Sequence, residues 1–289
     1  MALLSSYFCR IKYLHYLICS VCLSVTIWNF RADPSQHNTK KNILLEKRDY
    51  QMETSDSCQP IKFSDTPLPL TALYSWPGSG NTWVRHLLQQ LTGIYTGSMY
   101  HDLKLRTTSF PGESYRNGSV IAIKTHHKYS TFSDKVNLTR AIVIIRHPLD
   151  AHLANEKRML MKSHTGEVNA TMLNKLKTII HNDKRNVLKL EDWSLKTLRW
   201  VTVQNIPILI LSYESLVLDL KPELLRISHF LNTDITERLL QCVLRNSDGL
   251  HLRRKHTQKV HFSRDIKATA DDIYTKTLWE IEQLCSERT

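Results

Sequence analysis

The chain has 289 residues, 42% hydrophobic and 23% charged, a balance that suits one large globular domain or two small ones. No internal repeat or low-complexity segment is visible, which argues against repeat arrays and disordered chains. The formal net charge of +12 points to an anionic partner, whether nucleotide, nucleic acid, acidic glycan or membrane surface, without choosing among them.

From Tyr13 to Phe30 the chain carries no Asp, Glu, Lys or Arg. As a helix this stretch spans roughly 27 Å, enough for a bilayer core. Tyr13, Tyr16, Trp28 and Phe30 lie toward its ends, where interfacial aromatics belong. A cleaved signal peptide is the rival, but no small-x-small cleavage site stands between Ser24 and Arg31. The expected organisation is a cytoplasmic tail (1–12), a transmembrane signal-anchor (13–30), a polar lumenal stem (31–66) and a globular domain (67–289). The flanking charges orient the anchor poorly. The sequons at Asn117, Asn137 and Asn169 favour a lumenal, glycosylated domain. In that compartment Cys58, Cys242 and Cys285 face oxidation, and Cys242–Cys285 is the expected pair. No pair of CxxC motifs and no HExxH spacing occurs, the lone Cys19–Cys22 spacing lying inside the apolar stretch, so no metal site is expected.

An apolar run from Thr71 to Trp76 predicts a buried strand. It breaks at Pro77-Gly78-Ser79-Gly80, and Val84, Leu87, Leu88 and Leu91 then share one face of a helix that stops at Gly93. Glycines around a serine at a strand-to-helix junction leave main-chain N–H groups free to close on an anion, helped by the helix dipole. The competing reading is an ordinary tight turn with Asn81 or Thr82 as helix cap. Tyr95 to Asn117 is turn-rich and reads as a loop. A second apolar strand follows from Ser119, ending in Lys124, Thr125, His126 and His127. A third, Ala141 to Ile145, ends at Arg146, with Pro148 suited to the first turn of a helix and Asp150 to its amino end. A fourth, from Pro207, ends at Tyr213-Glu214. Helical patterns cover Glu191–Gln204, Leu216–Leu231, Asp234–Arg245 and Ile266–Leu284, and Trp193 and Trp200 are assigned to packing. Strands alternating with helices predict a parallel α/β sheet, in which ligands sit beyond the carboxyl ends of the strands. The basic stretch Arg253-Arg254-Lys255 either closes over a phosphate or is a solvated face.

This order of motifs resembles the sulfotransferases that use 3′-phosphoadenosine 5′-phosphosulfate (PAPS), over about residues 70 to 260. The strings at 76–88, 93–98 and 124–127 are most similar to the WSC-domain-containing branch, although the stem is too short for a WSC module. The resemblance implies a P-loop-like sulfotransferase fold in the Golgi membrane, transferring a sulfuryl group to a hydroxyl of a glycan, with sialic acid as the suggested acceptor. It implies that Pro77, Gly78, Ser79, Gly80, Asn81, Thr82 and Trp83 cradle the 5′-phosphosulfate, with Trp83 against the adenine. Arg146 would hold the 3′-phosphate, Tyr213 would contact the nucleotide, and Arg253, Arg254 and Lys255 would clamp its 3′ side. His126 would be the general base, a task that a neutral imidazole suits. Three departures stand out. Gly78 replaces the lysine that assists the leaving group in cytosolic relatives; Lys124, Arg85 and His127 are candidate substitutes, with Lys124 favoured by position. Ala154 stands where relatives often have a phosphate-binding serine, and His256 follows the clamp where many have glycine.

Other classes fit less well. A P-loop NTPase needs GxxxxGK[ST], whereas Asn81 and Thr82 follow Gly80 here. A nucleic-acid binder would explain the charge, but no helix-turn-helix, RNP or zinc pattern appears. A degenerate PAPS- or glycan-binding protein that lost turnover with the loop lysine remains the non-enzymatic alternative.

Overall fold

The fold is taken from a computed structural model that describes residues 58–161, 169–203, 206–249 and 260–286. The expected anchor, most of the stem and the triplet Arg253, Arg254 and Lys255 lie outside the described residues. No helix among the described residues is long and apolar enough to cross a membrane.

β1 (Thr71–Ser75) is buried at every position, as a strand covered on both faces must be. It forms the centre of a five-stranded sheet with β2 (Gly97–Ser98), β3 (Ile123–Thr125), β4 (Arg140–Ile145) and β5 (Ile208–Ser212), in the order β2-β3-β1-β4-β5. Every pairing is parallel, with Tyr74 opposite Thr125 on one side and Val143 on the other. After β1 the chain builds one side of the sheet through β2 and β3, then crosses β1 to add β4 and β5. The strand order therefore reverses at β1, and its carboxyl end opens onto the crevice where α/β proteins take ligands.

Alternation along the strands divides the core. Leu73, Ile142, Ile144, Leu209 and Leu211 face α1 (Asn81–Thr92), α7 (Tyr213–Leu218), α8 (Leu220–Leu231) and α9 (Glu237–Arg245). Ala72, Tyr74, Val143 and Ile210 face α6 (Asp183–Val201) and α10 (Arg264–Ser286). Trp193 and Trp200 are fully buried there, and the Tyr74 ring stacks on Trp200 at 4.7 Å. The remaining helices are α2 (Leu103–Thr108), α3 (Tyr129–Ser133), α4 (Pro148–Met161) and α5 (Ala170–Ile180). Gly93 ends α1 in the left-handed conformation and Pro148 opens α4, as their chemistry predicts.

The structure corrects several expectations. Cys242 pairs with Cys58, not with Cys285, at a Cα separation of 5.6 Å. The reason is the sheet itself: α9 and Cys58 pack on one face, while Cys285 is buried on the other. The strand expected from Ser119 begins only at Ile123, and the expected loop 95–117 contains β2 and α2. The single helix expected over 216–231 is broken at Asp219, whose extended backbone separates α7 from α8.

Candidate active site

The loop after β1 is built on its glycines. Gly78 (φ 88°) and Gly80 (φ 90°) are both left-handed, a region most side chains avoid. Space excludes a side chain as well. A β-carbon on Gly78 would collide with the Ala151 carbonyl of α4 and lie 2.8 Å from the Asn155 nitrogen, and one on Gly80 would lie 2.6 Å from the Tyr213 ring. The turn closes through the Ser79 amide donating to the Trp76 carbonyl at 3.2 Å.

The cap decides between an ordinary turn and an anion cradle. Gly80 occupies the cap position of α1, and no side chain caps that end. Asn81 turns inward, its Nδ2 donating to the Leu73 carbonyl (3.0 Å) and the Ser75 hydroxyl (3.2 Å). The first main-chain N–H groups of α1 are thus left to a ligand and to the dipole that favours anions. The Ser79 hydroxyl, buried in the same loop, has no hydrogen-bond partner among the described residues. Such a group within an amide-lined turn fits a bound anion.

Arg146, at the tip of β4, donates from Nη1 to the Gly78 carbonyl at 2.9 Å, and its guanidinium lies 4.1 Å over the Tyr213 ring. Its Nε is buried and has no hydrogen-bond partner among the described residues. Tyr213 meets Trp83 edge-on at 5.8 Å, and the Trp83 indole N–H donates to the Ser247 carbonyl at 2.7 Å. Trp83 is buried, so it reaches this region chiefly through Tyr213. Glu214 accepts from the His147 amide, which fixes the turn after Arg146. Arg146, Asp150, Tyr213, Glu214, Val217 and Leu218 line an open pocket of about 370 Å³. A cation beside exposed Val217 and Leu218 offers both a phosphate partner and an apolar wall.

On the other side of the loop, β3 delivers Lys124 and His126. His126 is half-buried, and its Nδ1 lies 2.7 Å from the Ser75 carbonyl. A carbonyl only accepts, so Nδ1 carries the proton and Nε2 presents a bare lone pair. Nε2 makes no hydrogen bond among the described residues. The His126 amide donates to the Tyr100 hydroxyl at 2.9 Å. Burial, then the neighbouring Lys124 charge, pushes the imidazole pKa down to about 3, so the ring is neutral at physiological pH. Lys124 is buried with its ammonium 5.8 Å from the Tyr100 ring centroid; burial and the Arg85 charge push its pKa down to about 8.

The other candidate substitutes for a loop lysine behave differently. Arg85 is wholly buried, donating to Glu113 at 2.6 Å and to Thr96, so it is committed to the core. His127 stacks on Tyr100 at 5.4 Å, next to His126. The structure adds residues that sequence reasoning passed over: Ser75 and Tyr100, which hold His126, and Asn155, whose nitrogen abuts Gly78. No short motif marks them, because their roles arise from contacts between distant elements.

The family profile described as "Sulfotransferase domain" matches residues 71–272. A WSCD family member of Drosophila melanogaster is 36% identical over 195 residues, covering 64% of this chain and 57% of the relative. One from Aedes aegypti is 34% identical with the same coverage. The chain therefore spans somewhat over half the length of the curated relatives it matches. Among solved structures, mouse sulfotransferase SULT7A1 complexed with PAP is similar at a TM-score of 0.47 and 15% identity, covering 77% of this chain and 90% of that one. A retinol dehydratase with androsterone and inactive cofactor PAP is similar at 0.43 and 18%, covering 73% and 82%. The profile match spans more than half of the sequence, and on that ground the chain belongs to the sulfotransferase domain family.

Proposed function

We propose that the protein transfers a sulfuryl group from PAPS to a hydroxyl of a glycan, with sialic acid as the first acceptor to test. The observation that carries this reading is the uncapped amino end of α1 behind a two-glycine loop, with His126 bonded to Ser75 at the root of that loop. The Ser79 hydroxyl and Arg146 Nε, without hydrogen-bond partners among the described residues, fit a ligand with anionic groups at both ends.

Bound PAPS would supply the sulfuryl group and the bridging oxygen that departs with the nucleotide. The main-chain N–H groups of Gly80, Asn81, Thr82 and Trp83, with the Ser79 hydroxyl, hold the 5′-phosphosulfate where charge builds during transfer. Pro77 and Gly78 set the turn that aims them. Arg146 takes the 3′-phosphate and Tyr213 the nucleoside, with Arg253, Arg254 and Lys255 assigned to the same end. His126 Nε2 receives the acceptor hydroxyl's proton as that oxygen bonds to sulfur. An anion in the cradle raises the basicity of this imidazole, because nearby negative charge favours its protonated form. Lys124 contributes positive charge to the sulfuryl side.

The exposed sequon residues Asn117, Asn137 and Asn169 favour a lumenal glycoprotein on a Golgi type II anchor over residues 13–30. The Asn169 side-chain oxygen caps α5 by accepting from the Met172 amide, which leaves its nitrogen for a glycan.

The test uses the full chain, radiolabelled PAPS and a panel of neutral and sialylated glycans. Label transfer to a glycan is expected. Gly78, which leaves the loop without a cation, favours the second reading, a degenerate binding protein. Stabilisation by PAPS without any transfer would establish that reading, and the absence of both would overturn both.

A further inference from the structure

The stretch from Pro77 to Trp83 carries no charged side chain, and Gly78 has neither the backbone conformation nor the space for one. The obstacle on Gly78 is α4, whose Ala151 carbonyl and Asn155 nitrogen press against it. Ala151, Asn155 and Arg158 follow one another at helical spacing along that helix, so they share the face turned to the loop. Arg158 donates from Nη2 to the Asn155 side-chain oxygen at 3.2 Å, which draws its guanidinium back toward the loop end of α4. The side chain is half-buried, and among the described residues no carboxylate pairs with it. Its charge also reaches across the cleft, lowering the pKa of both Lys124 and His126.

We propose that Arg158 is a further ligand-contacting residue, supplying to the 5′-phosphosulfate end of the nucleotide the side-chain cation that the loop itself cannot carry. The inference rests on the PAPS reading. The helix that excludes a side chain from Gly78 thereby brings a substitute charge into the same space. Arg158 donates N–H groups to the oxygen that leaves sulfur and to the 5′-phosphate, as negative charge gathers there when the S–O bond breaks. Its hydrogen-bond partners among the described residues are the neutral Asn155 oxygen and the Met159 sulfur, so no described acid cancels that charge.

The test separates the two ends of the nucleotide. Binding of PAP and of adenosine 3′-monophosphate, which lacks the 5′-phosphate, is measured by calorimetry on the full chain and on R158Q and R158K. R158Q is expected to weaken PAP about 10-fold and adenosine 3′-monophosphate less than about 2-fold, with R158K recovering part of the loss. Thermal unfolding identifies variants that retain the fold; R158K serves if R158Q does not, and its fork-to-point-charge change should still lower the PAP preference. An equal loss for both nucleotides, or no loss for either, overturns the assignment of Arg158 alone. A wild-type chain that binds neither nucleotide overturns the PAPS reading and this inference with it.

Discussion

Two histidines on opposite sides of β1 show how similar environments differ in what they permit. Both His126 and His152 have pKa values lowered mainly by burial. His152, on α4, is locked inside a network: its Nε2 lies 3.1 Å from Asn186 Oδ1, whose own amide donates to the Ile180 carbonyl. Glu156, 3.6 Å from the other ring nitrogen, is engaged by Arg185 at 2.8 Å. His126 uses only Nδ1, on a main-chain carbonyl, and stands just beyond the carboxyl end of β3. A depressed pKa reports burial in both cases. The capacity to accept a substrate proton depends on a lone pair that is both left over and reachable: His152 Nδ1 is sealed in the core, whereas His126 is half-buried at the end of β3.

The largest expected effect tests that distinction directly. His126→Ala should lower kcat about 10²–10⁴-fold while the thermal shift produced by PAP stays near that of wild type. His152→Ala should leave kcat within about 2-fold of wild type but cost about 1–3 kcal/mol of stability, since it strands the buried Asn186 side-chain oxygen that Nε2 now satisfies. Steady-state kinetics with urea melts of both variants check this. If His126→Ala keeps its turnover, the bare lone pair is not the base, and the contrast between the two rings loses its functional meaning.

Much of the open region was legible in the sequence, because its chemistry sits on local punctuation. Pro77 to Gly80 breaks an apolar run, and Lys124, His126, Arg146 and Tyr213 each stand at the end of one. What escaped was set by contacts between distant segments. The break at Asp219 between α7 and α8 interrupts a continuous helical pattern, and the first turns of α6 are too polar to show a periodic face. The disulfide expectation failed because cysteine counting does not reveal which face of the sheet each residue occupies. Tyr100, in a stretch read as a loop, and Arg158, within an ordinary helical run, gain meaning only when β3 and α4 converge on the loop.

Gly78 lies where the two histidine regions adjoin, since the Ala151 carbonyl it touches belongs to the residue preceding His152. Gly78→Ala should cost about 2–4 kcal/mol, because a left-handed backbone and a backbone collision both oppose the methyl group. Gly78→Lys should be no more stable and should not raise turnover, since its stem meets the same carbonyl. Urea denaturation and label transfer check both variants. A stable Gly78→Lys with faster transfer would mean that α4 yields easily, and the packed region would not constrain the open one.

The smallest effect is one of pH, and it arises only on the open side. Lys124 titrates at about 8 in the folded chain against 10.5 as its ordinary value, so between those limits the unfolded chain binds more protons than the folded one. Its contribution to stability without ligand therefore rises as pH increases through that window. If Lys124 contacts the anion as proposed, affinity for PAP should move the other way, falling about 10-fold between pH 7 and 9 as its ammonium is lost. Lys124→Met should flatten the affinity profile, and calorimetry across that range measures it. The two trends share one proton and have opposite signs, so a parallel fall of stability and affinity would place the responsible group elsewhere. His152 faces Glu156 and Asn186 and lies outside the crevice; His152→Ala should leave this affinity profile unchanged, which confines the alkaline effect to the strand ends.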